Sequence, residues 1–324
     1  MKITLKQMAD ISPSSTKPRA AADRAVEWPT LVLIVATYTA LALGGALWGA
    51  WPLLSVVIVG IALAQFSSLQ HEVLHGHPFA RQWASEALVF PALFVVVPYL
   101  RFKDTHLAHH HDPALTDPYD DPESNFFDPA VWARLPRVWQ AVLAANNSLA
   151  GRIILGPAIG IGYFLASEIR FLAAGKARVW LGWGLNLLGM IPVIWYLQVT
   201  GMAVWAYALA VYIGLGLLRI RTFLEHRAHT SARARTVVVE DRGPLALLFL
   251  NNNYHVVHHM HPTVAWYRLP ALYAEKRDHF LRRNDGYRYK NYAEVFARYL
   301  FAAKDPVPHP IWPVTQDRKD KSAD

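Results

Sequence analysis

Two stretches of this chain, residues 28–70 and 179–218, contain no Asp, Glu, Lys or Arg. Each runs to about 40 residues, and a helix needs about 20 to cross a bilayer core. Each stretch therefore predicts two crossings joined by a tight turn, near residues 49–52 and 198–201. Inside lipid every backbone amide must be paired within its own segment, so helices are the natural form. Core helices of a soluble domain would need only about 10–14 apolar residues. A secretory signal is disfavoured, because the first run starts near residue 28 and is too long for the apolar part of one.

The remaining segments are mixed. Residues 85–100 are apolar but short and hold Pro91 and Pro98, which suggests an interfacial or partly embedded helix. Residues 112–128 are rich in Asp and Pro and read as a loop. Residues 149–174 are apolar but contain Glu168 and Arg170, and a charge inside a span is costly; an amphipathic, interfacial helix is expected. Residues 244–250 form a short apolar run. The pattern gives an all-α integral membrane protein: four transmembrane helices in two hairpins, interfacial helices, and a helical cap. Its parts are an N-terminal arm (1–27), a membrane domain (28–304) and a polar tail (305–324).

Charge orients this picture. The net charge is +8 and the mean hydropathy +0.16. Every charged residue lies outside the two hairpins, and basic residues gather on the cytoplasmic side. Both hairpins should therefore dip in from the cytoplasm, as in a bacterial inner membrane. Membrane orientation accounts for the basic excess, so nucleic-acid binding is not indicated. Cysteine is absent, which removes disulfides, thiolate-bound haem and iron–sulfur clusters for this chain alone.

Most of the 15 histidines fall in four clusters, all on that same side. His71 and His75 are four apart where the second crossing ends. His106, His109 and His110 are spaced i, i+3, i+4, and so are His255, His258 and His259. Glu225-His226-Arg-Ala-His229 follows the fourth crossing. Helix positions three and four apart share a side, and neutral imidazole is the commonest metal ligand. Imidazole-only sites suit Zn, Cu, Fe or Ni. Eight or nine nitrogens are too many for one four-coordinate zinc and fit two ions with open positions. Second-shell carboxylates usually orient such rings. Asp104, Asp112, Asp117, Asp120, Asp121, Glu72 and Glu225 are available, with Asp112 and Glu225 favoured.

HxxxH, HxxHH and HxxHH at the ends of paired membrane hairpins resemble the membrane fatty acid desaturase and hydroxylase superfamily, over about residues 30–270. The resemblance implies a di-iron centre above a four-helix stalk, with O2 as co-substrate. Its first box falls on His71 and His75, its second on His106, His109 and His110, its third on His255, His258 and His259. His226 matches its further ligand after the fourth crossing. Acyl desaturases place an Asn one turn earlier, where this chain has Thr222. His229 shares a face with His226 and stays an open candidate. His111 and His261 are expected to flank the site, and His77, His279 and His309 to be bystanders.

Two other readings compete. His71-Glu72-Val-Leu-His75 also matches HExxH, in which Glu is the general base of a zinc protease, but that leaves both HxxHH boxes unused. A metal transporter would need polar groups within the spans. Within the superfamily, the stretch from Asn253 to Pro262 followed by Trp266-Tyr-Arg-Leu-Pro270 resembles both bacterial acyl desaturases and carotenoid ketolases or hydroxylases. Chain length and the long interval between the second and third boxes favour a fatty acyl desaturase. No flavin, haem or nicotinamide motif is present, so electrons should come from a separate carrier such as a ferredoxin and its reductase. Arg101, Lys103, Arg219, Arg221, Arg227, Arg233, Arg235, Lys276, Arg277, Arg282 and Arg283 are expected to line the cap. There they would steer that carrier or an anionic lipid headgroup, or anchor the cap to lipid.

Overall fold

The computed structural model describes residues 26–110 and 112–312. The arm up to residue 25, His111 and the tail from residue 313 lie outside the described residues. Helices α1 (Trp28–Ala46) and α2 (Pro52–Leu74) form the first hairpin. After α3 (Gln82–Leu88) and α4 (Tyr99–His109) come α5 (Pro129–Ala133), α6 (Arg137–Ala145), α7 (Leu149–Ile154) and α8 (Gly156–Ala173). The second hairpin is α9 (Ala177–Gly189), α10 (Ile191–Thr200) and α11 (Val204–Thr222). Pro192, one residue into α10, coincides with the break that divides the first arm of that hairpin, because proline cannot donate the helical hydrogen bond. The cap adds α12 (Pro244–Leu248), α13 (His255–Met260), α14 (Leu269–Glu275), α15 (Arg277–Arg283) and α16 (Tyr292–Tyr299).

Four spans are long and apolar enough to cross a membrane: Trp28–Ala46, Pro52–Leu74, Ala177–Thr200 and Val204–Thr222. The chain is an integral membrane protein, with the two hairpins expected from its hydrophobic pattern. Their outer faces carry greasy side chains in the open, such as Leu53 at 85% and Val204 at 73% exposure. Lipid makes that arrangement stable; water would not. The two hairpin tips meet, with the rings of Trp48 and Trp205 5.9 Å apart and Tyr196 donating to the Leu41 carbonyl. All the helix ends that carry histidine lie at the opposite end.

The stalk closes through glycine. A Cβ on Gly214 would lie 3.0 Å from the Gly60 carbonyl oxygen and 3.1 Å from Leu63 Cβ. Helices α2 and α11 therefore touch backbone to backbone, as small residues allow in membranes. Gly214→Val should overfill this seam and cost about 1–3 kcal/mol. A lowered thermal midpoint of the purified protein would report it, and an unchanged midpoint would count against the seam.

Residues 89–98 depart from expectation. The segment from 85 to 100 is not one helix: α3 stops at Leu88, and an irregular run with Pro91 and Pro98 follows. Non-helical backbone survives at this depth only if its polar groups are met by other protein. Here they are. Tyr38 donates to the Leu88 carbonyl at 2.7 Å, Tyr207 to Leu93 at 2.7 Å and Asn186 Nδ2 to Val95 at 2.6 Å. Ala92 N donates to Gly189 O at 2.8 Å.

The interfacial layer is held by a buried ion pair. Arg101 on α4 donates through Nε and Nη2 to Glu168 on α8, at 3.0–3.1 Å, and Trp183 Nε1 donates to the same carboxylate. That is why α8 tolerates its charge.

The cap adds one feature to the all-helical picture, a two-residue parallel pairing of β1 (Val238–Val239) with β2 (Arg288–Tyr289). Its role is positional. Thr236 bridges His226, Val237 N donates to Glu225 O, and Val237 O accepts from Val256 N. One extended segment thus clamps the end of α11 to the third histidine box.

Candidate metal centre

The eight histidines singled out by spacing, and His226, named through the resemblance, converge. His71, His75, His106, His110 and His258 form one group; His109, His226, His255 and His259 form another. Within each, one ring nitrogen per residue lies within 4.8 Å of all the others. Helix geometry explains the sorting. Helix α2 sends His71 and His75 to the first group from one side. Helix α4 splits its box, giving His106 and His110 (i, i+4) to the first group and His109 to the second. Helix α13 splits likewise, with His258 going one way and His255 and His259 the other. The two groups abut: the His110 and His259 rings stack with centroids 4.4 Å apart.

The nitrogens face one another closely. Nε2 of His110 is 3.0 Å from Nε2 of His106 and 3.2 Å from that of His258. Nε2 of His226 is 2.8 Å from that of His109 and 3.1 Å from that of His255. Ligands about 2.0–2.1 Å from a common ion would show edges of this length. His71 Nε2 and His75 Nε2 are buried with no hydrogen-bond partner among the described residues. A buried polar atom without a partner is costly, and a cation between these rings removes that cost. The donor set fits two ions.

Burial sets the protonation states. It pushes the His75, His106, His226, His255 and His258 imidazoles below their ordinary pKa, and neighbouring histidines add to the effect. Neutral rings are what a metal needs. His109 is the exception. Burial opposes its charge, but Glu123, Asp121 and Glu225 outweigh burial and raise it to about 9. Its Nδ1–H meets Asp121 Oδ1 at 2.8 Å, and its Nε2 faces His226 Nε2. An ion entering the four-histidine group must displace the proton that the charged ring carries on Nε2, while Nδ1–H stays on Asp121. Uptake there should release one proton at pH 7, and affinity should rise about tenfold per pH unit until about pH 9 and level off above. Metal titration of the stripped protein at pH 7 and pH 9.5, with proton release followed, checks this; equal affinities at both would contradict it.

The orienting groups are partly those expected. Asp121 holds His109 and itself accepts from Thr116 N at 2.9 Å and Glu123 N at 2.9 Å. Glu123 Oε1 is 3.0 Å from His106 Nδ1. Asn252 Oδ1 is 3.1 Å from His255 Nδ1. Spacing missed Glu123 and Asn252; the only signal for them is proximity to a box, which many residues share. Glu225 stands 3.7 Å from His255 Nδ1 but mainly faces Arg221, whose Nε is 3.0 Å away with poor hydrogen-bond alignment. Nothing is described for the Asp112 side chain. Asp104 instead pairs with Arg178, and Asp117 caps a turn at Tyr119 N. Asp121→Ala should weaken metal binding by about 10–100-fold, measured by competition with a chelator; unaltered retention would remove Asp121 from this role.

Several expectations change. His229 lies apart from both groups, with Nε2 3.4 Å from Asp285. His77 belongs to neither histidine group; it is 2% exposed, with Nδ1 2.7 Å from Glu27. Glu72, the base of the protease reading, turns from the metal pocket and accepts from Trp266 N at 2.9 Å. His71 and His75 instead share their pocket with three other histidines. Nor do the basic residues all line the cap: Arg101 is buried in its pair with Glu168, and Arg219 and Arg221 face a cavity inside the protein. Thr222 also lines that cavity, and its hydroxyl has no partner among the described residues.

The fold and site together define a membrane protein with a histidine-built two-metal pocket at the mouth of a four-span stalk. Comparison with known proteins agrees. The family model described as fatty acid desaturase matches residues 46–291. The chain belongs to the fatty acid desaturase family, within the histidine-box di-iron superfamily. A beta-carotene ketolase from Paracoccus sp. (strain N81106 / MBIC 01143) is 24% identical over 223 residues, which cover 66% of this chain and 73% of that relative.

Proposed function

We propose that the protein is a di-iron oxidase that desaturates the acyl chain of a membrane lipid. His71, His75, His106, His110 and His258 would hold one iron, and His109, His226, His255 and His259 the other. Two vicinal hydrogens leave as the double bond forms, and O2, two electrons and two protons yield two waters. The electrons come from a separate carrier, such as a ferredoxin with its reductase. Bound iron supplies the O2 chemistry. The chain's own work is placement. Asp121, Glu123 and Asn252 fix ring orientations, and the stalk keeps bulk water from the reacting carbon.

What carries the acyl reading is a cavity of about 430 Å³ that reaches His226. Phe94, Phe102, Ile159 and Leu215 give it apolar lining, while Asn125, Asn146, Asn147 and Arg152, with carboxylates such as Glu123 and Glu225, give it polar lining. Ligand pockets span about 300–1,000 Å³, so one slender chain with a polar head suits it. We further place the site on the cytoplasmic face of a bacterial inner membrane, from the distribution of charge. The catalytic unit is taken as residues 28–304, flanked by arm and tail.

The ketolase relative supports a second reading, oxygen insertion into a carotenoid. Lipid and carotenoid profiling of cells that express the chain decides between them. New acyl double bonds are expected; a keto or hydroxy carotenoid with unchanged acyl chains would overturn the proposal.

A further inference from the structure

The same cavity holds five cations, and four have a contact partner. Arg101 meets Glu168. Arg152 donates to the Asn146 carbonyl and to the side chains of Asn125 and Asn147. Arg221 meets Glu225, and Lys304 meets Asp305 and the His226 carbonyl. Arg219 is the fifth. Among the described residues no hydrogen bond or ion pair reaches its guanidinium. Glu123 and Glu225 act on it only through space, and each is already engaged, by His106 and Arg221 respectively.

Its position is built into the neighbouring helix. A Cβ on Gly160 would lie 2.1 Å from Arg219 Nη2, so only glycine at that position of α8 lets the guanidinium lie there. Gly156, one turn earlier, has the Arg219 stem at 3.4 Å from the same construction. A two-glycine groove on α8 thus receives a charged side chain from α11 and turns it to the cavity. A guanidinium presents five donors in a fixed fork that matches a carboxylate or phosphate. Glu123, Glu168 and Glu225 also line the cavity, but none makes an ion pair with the half-buried Arg219; a guanidinium held there without a direct acceptor is unfavourable, and an anionic ligand would remove that cost.

We infer that Arg219 is a specificity-determining residue that holds the anionic head of a single-chain amphiphile whose tail lies along the apolar wall of the same cavity. This rests on the acyl reading above and narrows it to substrates with a carboxylate or phosphate.

The test is equilibrium binding of radiolabelled palmitate to the purified, metal-loaded full chain, with no turnover required. Unlabelled palmitate and dodecyl phosphate should compete, and methyl palmitate should be at least tenfold weaker. Arg219→Gln should weaken palmitate about tenfold or more, as loss of a charge-assisted contact does, and abolish the preference for acid over ester. Gly160→Ala, which keeps the charge but displaces it, should do the same, while Arg219→Lys recovers part of the loss. Metal content and thermal midpoint, measured on each variant, separate this from misfolding. No specific palmitate binding, with phosphatidylglycerol vesicles bound instead in an Arg219-dependent manner, would assign the anion to a lipid headgroup and overturn the single-chain assignment. Equal affinity for acid and ester in the wild type, or unchanged palmitate binding in both variants, would overturn it. New double bonds without acid preference would sink the anion site alone. Acid preference with a keto carotenoid product would sink the acyl reading alone.

Discussion

His258→Ala is expected to abolish turnover and to strip one metal from the protein while the other stays. His258 stands at the centre of the five-histidine group. Its ring lies 4.7 Å, centroid to centroid, from both His71 and His75, and its Nε2 is 3.2 Å from that of His110. It comes from the cap, whereas the other four come from α2 and α4. Removing it therefore opens that pocket on the cap side. The four-histidine group draws on α4, the end of α11 and α13 and keeps all its members. Metal analysis should fall from two ions per chain to about one, with the proton-linked site at His109 still filled. His229→Ala, outside both groups, is the matched control and should keep both metals. Full activity in His258→Ala would remove that residue from the site, and loss of both ions together would contradict the partition into two groups.

Glu168→Ala is expected to cost about 3–5 kcal/mol, because it strands a buried charge. Glu168 is 1% and Arg101 5% exposed, so the guanidinium left behind keeps only Asp104, 3.5 Å from its Nη1, as a charged partner. The effect should appear as a large drop in thermal midpoint and in yield. A paired replacement, Arg101→Met with Glu168→Leu, should recover most of the loss, since well-packed apolar residues often match a buried ion pair. A double variant as unstable as the single one would mean that the pair acts through more than charge balance, with the indole of Trp183 as the first suspect.

The parts of this molecule that were legible in its sequence are those that repeat with helical period. An uncharged run long enough for two crossings has few alternatives in lipid, and α1, α2 and α9–α11 follow it closely. Histidines at i, i+3 and i+4 must share a helix side, so the eight in the three boxes could be named from spacing, and His226 only through the family resemblance. Their sorting into groups of five and four could not. It depends on where α4 and α13 sit relative to each other, and the clamp from Thr236 to Val239 fixes only α13 against the end of α11. Orienting groups were harder still. Glu123 and Asn252 reach their imidazoles from a loop and a turn, where spacing carries no direction. The basic residues misled for a related reason: Arg101, Arg219 and Arg221 look like interface anchors until their helix faces are known. The irregular run at 89–98 was hidden because apolar composition speaks for burial, not for helix, and two prolines only hint at the difference.

That run has a consequence for biogenesis. Within it, the Val89 carbonyl accepts from Gln70 of the first hairpin, but those of Leu93 and Val95 accept from Tyr207 and Asn186 of the second. During synthesis the early hairpin would reach the bilayer with two main-chain oxygens still lacking donors. Leaving them bare in hydrocarbon is unfavourable, so this stretch must wait in an aqueous or interfacial setting until the later helices arrive. The amino-terminal half is therefore unfit to stand as an autonomous unit, and splitting the gene between the hairpins should yield fragments that are stable only when made together.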